Sequence, residues 1–464
     1  MRPVVAIVLL LLVPLTLGWS LGSQEAEAEE TYLEVGLSGS PDTLDPQATT
    51  GTLTFQTMRS VYDTLVEPTV EGRIVPALAQ EYEVSEDGLM WRFHLRRGVR
   101  FHHGEELTAE DVVATFNRMR DPEFGSPNAQ EYDAVESVRA NGEYTVLFEL
   151  SAPHAPLLAT LASGWSAILP KDLIDAGHDF ASEPVGTGPF SLVEWTRDSS
   201  LVLEKNPDYW GEGEPKLDGV TFNVITERAV QAQALMGGEL HVADLIVEPE
   251  LSQIRKHPET TVDEEPSSLV MVLAMNTDRE PLSNLRIRRA IAMAVDKQAV
   301  MDFAYSGGEP VGTFMNPTNP FYVDYTDIYP YDLDRARQII SEAGELPELV
   351  LKLPQNYEPH VKAGELYQEM LESAGLSVRI QLVDWSSWLS NVYRNSQFDL
   401  TVIGHTGKLD PHGRLAPYGG GDNYVNWENE EAARLVEEAR RSLDRERRKD
   451  LYARILEIMA EEVP

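Results

Sequence analysis

Between Trp91 and Met119 the hydrophobic period of the chain changes from two residues to nearly four, which demands a strand, a turn and then a helix. Trp91, Phe93 and Leu95 alternate with Arg92, His94 and Arg96, so an extended backbone puts the apolar set on one face. Gly98 turns the chain, and Val99-Arg100-Phe101 continues as a short extended piece. Thr108 then suits a helix N-cap, because its hydroxyl can satisfy an orphan N–H of the first turn. Asp111 stands where a capping box places its second residue, and Glu110 and Asp111 complement the positive end of the helix dipole. Val112, Val113, Phe116 and Met119 recur at helical spacing, so this helix packs one apolar face.

The same two periods recur along the chain. Tyr32 to Leu37 alternates like a strand and runs into the turn-rich loop Gly39 to Pro46; Tyr144 to Leu150 alternates again. Thr54 to Leu65 has helical character. Leu269 to Met275 is a continuous apolar run, as expected of a buried strand, and Asn284 to Lys297 is an amphipathic helix. A helix ending at Gly344, a strand Leu349–Leu353, a helix from Gly364 to Gly375 and a strand Val378–Val383 follow, then helix from Asn426 onward. This alternation predicts an α/β lobe with a mixed sheet, and 464 residues are enough for two or three domains. In the last part Arg445 to Lys449 reads as a solvated charged face.

A formal net charge of −38 sets this surface against nucleic acid and anionic membranes. It fits either a solvated acidic surface for a salty milieu or a lineage-wide compositional bias. With no cysteine there is no disulfide, thiolate metal site or cysteine nucleophile. Arg2 followed by the apolar run Val4 to Leu17, too short to span a bilayer, predicts a signal peptide over residues 1–28, cleaved after Gly22 or Ala28. No cysteine near those positions could carry a lipid, so the mature protein is expected to be freely periplasmic.

The wording of several segments goes beyond their periodicity. Phe101-His102-His103-Gly104 with Leu107-Thr108-Ala109-Glu110-Asp111-Val112 closely resembles the signature of family 5 extracellular solute-binding proteins, the peptide- and nickel-type receptors of ABC importers. Tyr62 to Pro68, Gly186-Thr187-Gly188-Pro189-Phe190, Asn206 to Trp210, Leu217 to Val220 and Asn284 to Lys297 resemble other parts of that family, in the expected order. The resemblance implies a two-lobed α/β periplasmic-binding-protein fold (type II, large cluster) with an extra domain inserted in lobe one. Its expected boundaries are residues 29–50 and 185–266 for lobe one, 51–184 for the inserted domain and 267–464 for lobe two. It further implies a receptor, not an enzyme, that closes on a solute, an oligopeptide by default, and delivers it to a membrane permease whose partner subunits use ATP. No cofactor is implied. In that family the chain runs on past the last helix into a strand, so this sequence is expected to be C-terminally truncated.

The loop at Ser40 faces the ligand cleft in such receptors. Trp385 and Trp388 offer flat surfaces for stacking, against the plainer role of core tryptophans. Arg394 can take a ligand carboxylate bidentately, where some relatives hold such an arginine. Gly404-His405-Thr406-Gly407-Lys408-Leu409-Asp410-Pro411 resembles the cleft loop, but Lys408 stands near where peptide-binding members place an acid for the ligand's α-amino group. That departure opens an oligosaccharide or an anionic small molecule or metal chelate as alternative ligand. Trp165 is a further cleft candidate. Paired His102-His103 and the group His405, Asp410 and His412 contain metal-ligating types, but neither shows the convergent spacing of a metal site. No catalytic motif such as G-x-S-x-G or H-E-x-x-H occurs, which leaves a secreted hydrolase as the weakest alternative.

Overall fold

The computed structural model describes residues 31–464 except 245, 266, 306 and 420–422. The signal-peptide segment lies outside the described residues. Three sheets of four or five strands carry the fold, beside a two-stranded ribbon of Val66–Pro68 and Ile74–Pro76. In the first, Tyr32–Leu37 runs parallel to Gly219–Val224 on one side and Val242–Ala243 on the other, and Ser200–Lys205 and Phe190–Thr196 extend it antiparallel. Gly219 faces Tyr32 in register, and a Cβ there would sit 2.1 Å from the tyrosine ring, which packs over the bare glycine. The second sheet is wholly antiparallel, ordered Ala79–Val84, Met90–Leu95, Thr145–Leu150, Val135–Ala140. Its sequence lies between the first and later strands of the first sheet, which makes it the insertion in a two-lobed α/β fold.

In this inserted domain Trp91, Phe93 and Leu95 are buried as their alternation requires. Helix Ala109–Met119 lays Val112, Phe116 and Met119 on the sheet, with Phe116 at 5.1 Å from Phe148 and 5.4 Å from Tyr132 between ring centres. The expected cap is present. The Asp111 carboxylate accepts from the Thr108 backbone N–H (2.8 Å) and hydroxyl (2.9 Å), and its other oxygen accepts from the Lys171 N–H (2.8 Å). His102 clamps the insertion to lobe one. Its Nδ1 accepts from the Gly186 N–H at 3.3 Å and its Nε2 donates to the Gly188 carbonyl at 3.1 Å. Burial lowers its pKa, consistent with that neutral tautomer. The two glycines are needed for close approach, since a Cβ on Gly186 would lie 2.2 Å from the Val61 carbonyl oxygen.

Lobe two holds the third sheet, ordered Val270–Met275, Leu400–His405, Leu349–Pro354, Val378–Val383, antiparallel at the first pairing and parallel at the other two. It is the expected mixed sheet, with one core on each face. The helix read over Asn284 to Lys297 is present as Leu285–Ala294, three residues shorter at its end, and a second helix, Lys297–Ala304, follows at once; the Asp296 carboxylate accepts from the Ala299 N–H and starts it. Similarly, Asp444 caps Arg445–Glu462 and separates it from Glu430–Arg441. The solvated face expected over Arg445 to Lys449 needs one correction. Arg448 is 7% exposed, and its guanidinium turns inward to Asp410 at 2.6 Å. Among the described residues no helix is long and apolar enough to cross a membrane.

Candidate ligand-binding site

A cavity of about 930 Å³ opens at the end of strand Leu400–His405, within the size range of small-molecule sites. The strand delivers His405 to its wall, and the helix Trp388–Arg394, wound in π-helical turns, delivers Arg394. Such turns are frequent at functional sites. His405 shares a hydrogen bond with the Tyr424 hydroxyl at 3.0 Å. Burial, and secondarily Arg414, push its pKa down to about 3, so it is neutral at pH 7. Arg414, from helix His412–Gly419, donates to the carbonyls of His405 (3.0 Å) and Thr406 and lies 4.8 Å over the Phe314 ring. Arg394 is exposed at the rim.

Lys408 connects this wall to the inserted domain. Its ammonium stands 5.3 Å over the Trp165 ring and 3.9 Å from the Glu131 carboxylate. Beyond it, the inserted domain touches lobe two again, where the Ala155 N–H donates to the Arg440 carbonyl at 2.8 Å and His154 meets His412 with ring centres 5.8 Å apart. Burial, reinforced by His412 and Arg440, lowers the His154 pKa to about 4.

Of the residues marked by sequence, Arg394, His405 and Lys408 line the cavity together, and Trp165 approaches it only through Lys408. Ser40 lies on the lobe-one loop, where its hydroxyl accepts from the Asp198 N–H at 3.2 Å. Trp388 is 2% exposed and donates through Nε1 to the Thr401 hydroxyl, a core placement rather than a ligand surface. Trp385 stacks on it at 5.1 Å and meets Tyr357 edge-on. Asp410 is also turned inward. Both its oxygens are taken by Arg448, and Tyr452 donates to one of them, which fixes the Asp-Pro step to the last helix. Among the described residues no group of three or more His, Asp or Glu could hold a metal. Sequence reasoning missed Arg279, Phe314, Tyr393, Arg414, Tyr418 and Tyr424, which line the cavity from separate segments. Tyr393 and Arg414 had local signals, one beside Arg394 and the other one helical turn past Asp410.

A second cavity, about 890 Å³, follows the free edge of strand Val270–Met275 and is walled by Met271, Leu273 and Val295. It contains none of the residues marked by sequence.

Two α/β lobes, one carrying an insertion that touches the other at Lys408 beside a cation-bearing cavity, define a two-lobed solute-binding protein. The chain belongs to the bacterial extracellular solute-binding proteins, family 5, whose middle-region model matches residues 73–426. It is 30% identical to di/tripeptide-binding protein 2 of Pseudomonas aeruginosa, over 95% of this chain and 90% of that protein. Among solved structures, the periplasmic binding protein DppA of Helicobacter pylori, in complex with the peptide STSA, matches with a TM-score of 0.78 and 28% identity, over 93% of this chain and 91% of that one. The binding protein AgaA of A. tumefacien R10, in complex with agropinic acid, matches with a TM-score of 0.76 and 29% identity, over 93% of this chain and 90% of that one.

Proposed function

We propose that this protein is the receptor of an ABC importer, capturing a peptide-class solute in the cavity beside His405 and delivering it to a membrane permease. The observation that carries the reading is Lys408, which reaches from the cavity wall of lobe two to Trp165 and Glu131 of the inserted domain. A solute held there lies beside the contact between the two bodies, and one that bridges them favours their closed arrangement by as much as its affinities for the two states differ. Arg394 supplies a guanidinium for a carboxylate of the solute. The names of the relatives, di/tripeptide-binding and peptide-complexed, support a peptide as cargo. On this reading the protein acts by binding alone, in the periplasm, after its signal peptide is cleaved following Gly22 or Ala28, and ATP is used by the permease's partner subunits. Lobe one comprises 29–50 and 185–266, the insertion 51–184 and lobe two 267–464.

Native mass spectrometry of the protein purified from its periplasm tests this. Retained peptide masses are expected. Hexose- or pentose-spaced masses would replace the peptide with an oligosaccharide, and turnover of a peptide or glycoside substrate would replace the receptor with a hydrolase.

A further inference from the structure

The cavity beside His405 carries an excess of positive charge on a protein with 38 basic and 76 acidic residues. Arg279, Arg394, Lys408 and Arg414 line it, against one carboxylate, Asp278. Their counter-charges are thin. Arg279 has Asp399 at 3.9 Å and Lys408 has Glu131 at 3.9 Å, both at the outer limit of an ion pair. Arg394 and Arg414 have no carboxylate partner among the described residues. Arg414 is only 9% exposed and answers its charge with carbonyls and the face of Phe314. A buried guanidinium without a counter-ion is costly, so an entering anion completes this wall electrostatically. An entering ammonium finds only the exposed Asp278 carboxylate on this wall. The two groups near Lys408 that would welcome it, the Trp165 ring and the Glu131 carboxylate, already face the Lys408 ammonium.

We propose that this pocket selects a ligand of net negative charge without a free α-ammonium, such as a peptide N-acylated by a mono- or dicarboxylic acid, over a zwitterionic one. This rests on the peptide-receptor reading and narrows its substrate class. Arg394 and Arg414 attract the acidic groups, and Lys408 discriminates against the ammonium. The 29% identical relative whose complex holds agropinic acid, itself an acid, is in keeping with such a pocket.

The test compares three probes of similar size by calorimetry on the purified protein. They are Ala-Ala-Ala, N-acetyl-Ala-Ala and N-succinyl-Ala-Ala, of net charge zero, minus one and minus two at pH 7. Affinity is expected to rise in that order, by at least about tenfold from first to last. Lys408→Asp is expected to invert the order, and Lys408→Gln, which adds no new charge, to narrow it. Equal or tighter binding of Ala-Ala-Ala by the unaltered protein overturns the proposal and leaves the peptide-receptor reading standing. So does an order that Lys408→Asp leaves unmoved. If no probe binds, the peptide reading fails separately, and the charge of the ligand retained in native mass spectrometry decides. An anion upholds the charge selection, and a neutral or cationic ligand overturns it.

Discussion

The segments Trp91–Met119 and Leu400–Arg414 are built alike, a strand that leaves its sheet through a loop and enters a helix, but they use their polar groups in opposite ways. In the first, His102 is bonded at both ring nitrogens, Thr108 at its backbone N–H and hydroxyl, and both Asp111 oxygens are taken. The fold consumes these three polar residues of the recognisable motif. In the second, Lys408 has a distant carboxylate and the Trp165 ring, Arg414 has carbonyls and the Phe314 ring but no carboxylate, and Arg394 stands exposed beside them. Polar groups left incompletely answered are those available to a ligand. The recognisable segment is therefore scaffold, and the chemistry sits in the less regular one.

The sharpest contrast comes from removing an anchor of the first segment. Phe116 is fully buried between Phe148 and Tyr132. Phe116→Ala should cost about 4 kcal/mol of unfolding free energy in a urea titration, within the range for buried aromatics. Ligand affinity of the folded fraction should hold. A tenfold affinity loss at unchanged stability would make this segment part of the site.

Asp410 tests whether the second segment is uniformly functional. Asp410→Ala strands the buried Arg448 guanidinium, which keeps only the Ala439 carbonyl and Tyr452. A loss of about 3 kcal/mol is expected, at the low end for breaking a buried pair. Unchanged stability with lost binding would return Asp410 to the ligand.

Much of the architecture was legible because it depends on local pattern. The strand at Trp91, its capped helix and the mixed sheet of lobe two follow from periodicity and capping chemistry. What escaped depends on distance. Asp296 interrupts an otherwise unbroken amphipathic run by bonding the Ala299 N–H, which apolar spacing does not reveal. Arg448 sits in a charged stretch, and only the return of Asp410 from 38 residues earlier buries it. The cavity draws Arg279, Phe314, Tyr393 and Tyr424 from separate segments, so no window of sequence contains it. Trp385 and Trp388 show the converse: a pair that looks like a stacking platform, of which Trp388 is spent on the core.

Acid probes both segments at once. Burial lowers the pKa of His102 in the first and holds His405 down to about 3 in the second, with His154 and His360 at about 4. These rings are neutral when folded and protonate near pH 6.5 when unfolded, so the unfolded state binds more protons between those values. Their contribution is intact above about pH 6.5 and falls as pH drops toward 4, by up to about 1.4 kcal/mol per pH unit for each ring. Urea midpoints from pH 7 to 4.5 should decline accordingly. A His154→Gln variant should decline less steeply, and parallel curves would show that His154 is not neutral at its interface.

The smallest effect on stability should come from Arg394, and it bears most directly on the contrast. Its guanidinium is exposed at the cavity rim and has no ion-pair partner among the described residues, so Arg394→Ala removes neither packing nor a buried pair. Surface changes of that kind stay within about 0.5 kcal/mol of the starting stability. If a ligand carboxylate supplies the missing partner, affinity for an anionic ligand should fall by about an order of magnitude, or about 1.4 kcal/mol, with the urea midpoint unmoved. An affinity that does not change would place Arg394 outside the site and leave Arg279, Lys408 and Arg414 to account for anion binding. A fall in stability would instead mean that the rim, like Trp91–Met119, spends its charge on the fold.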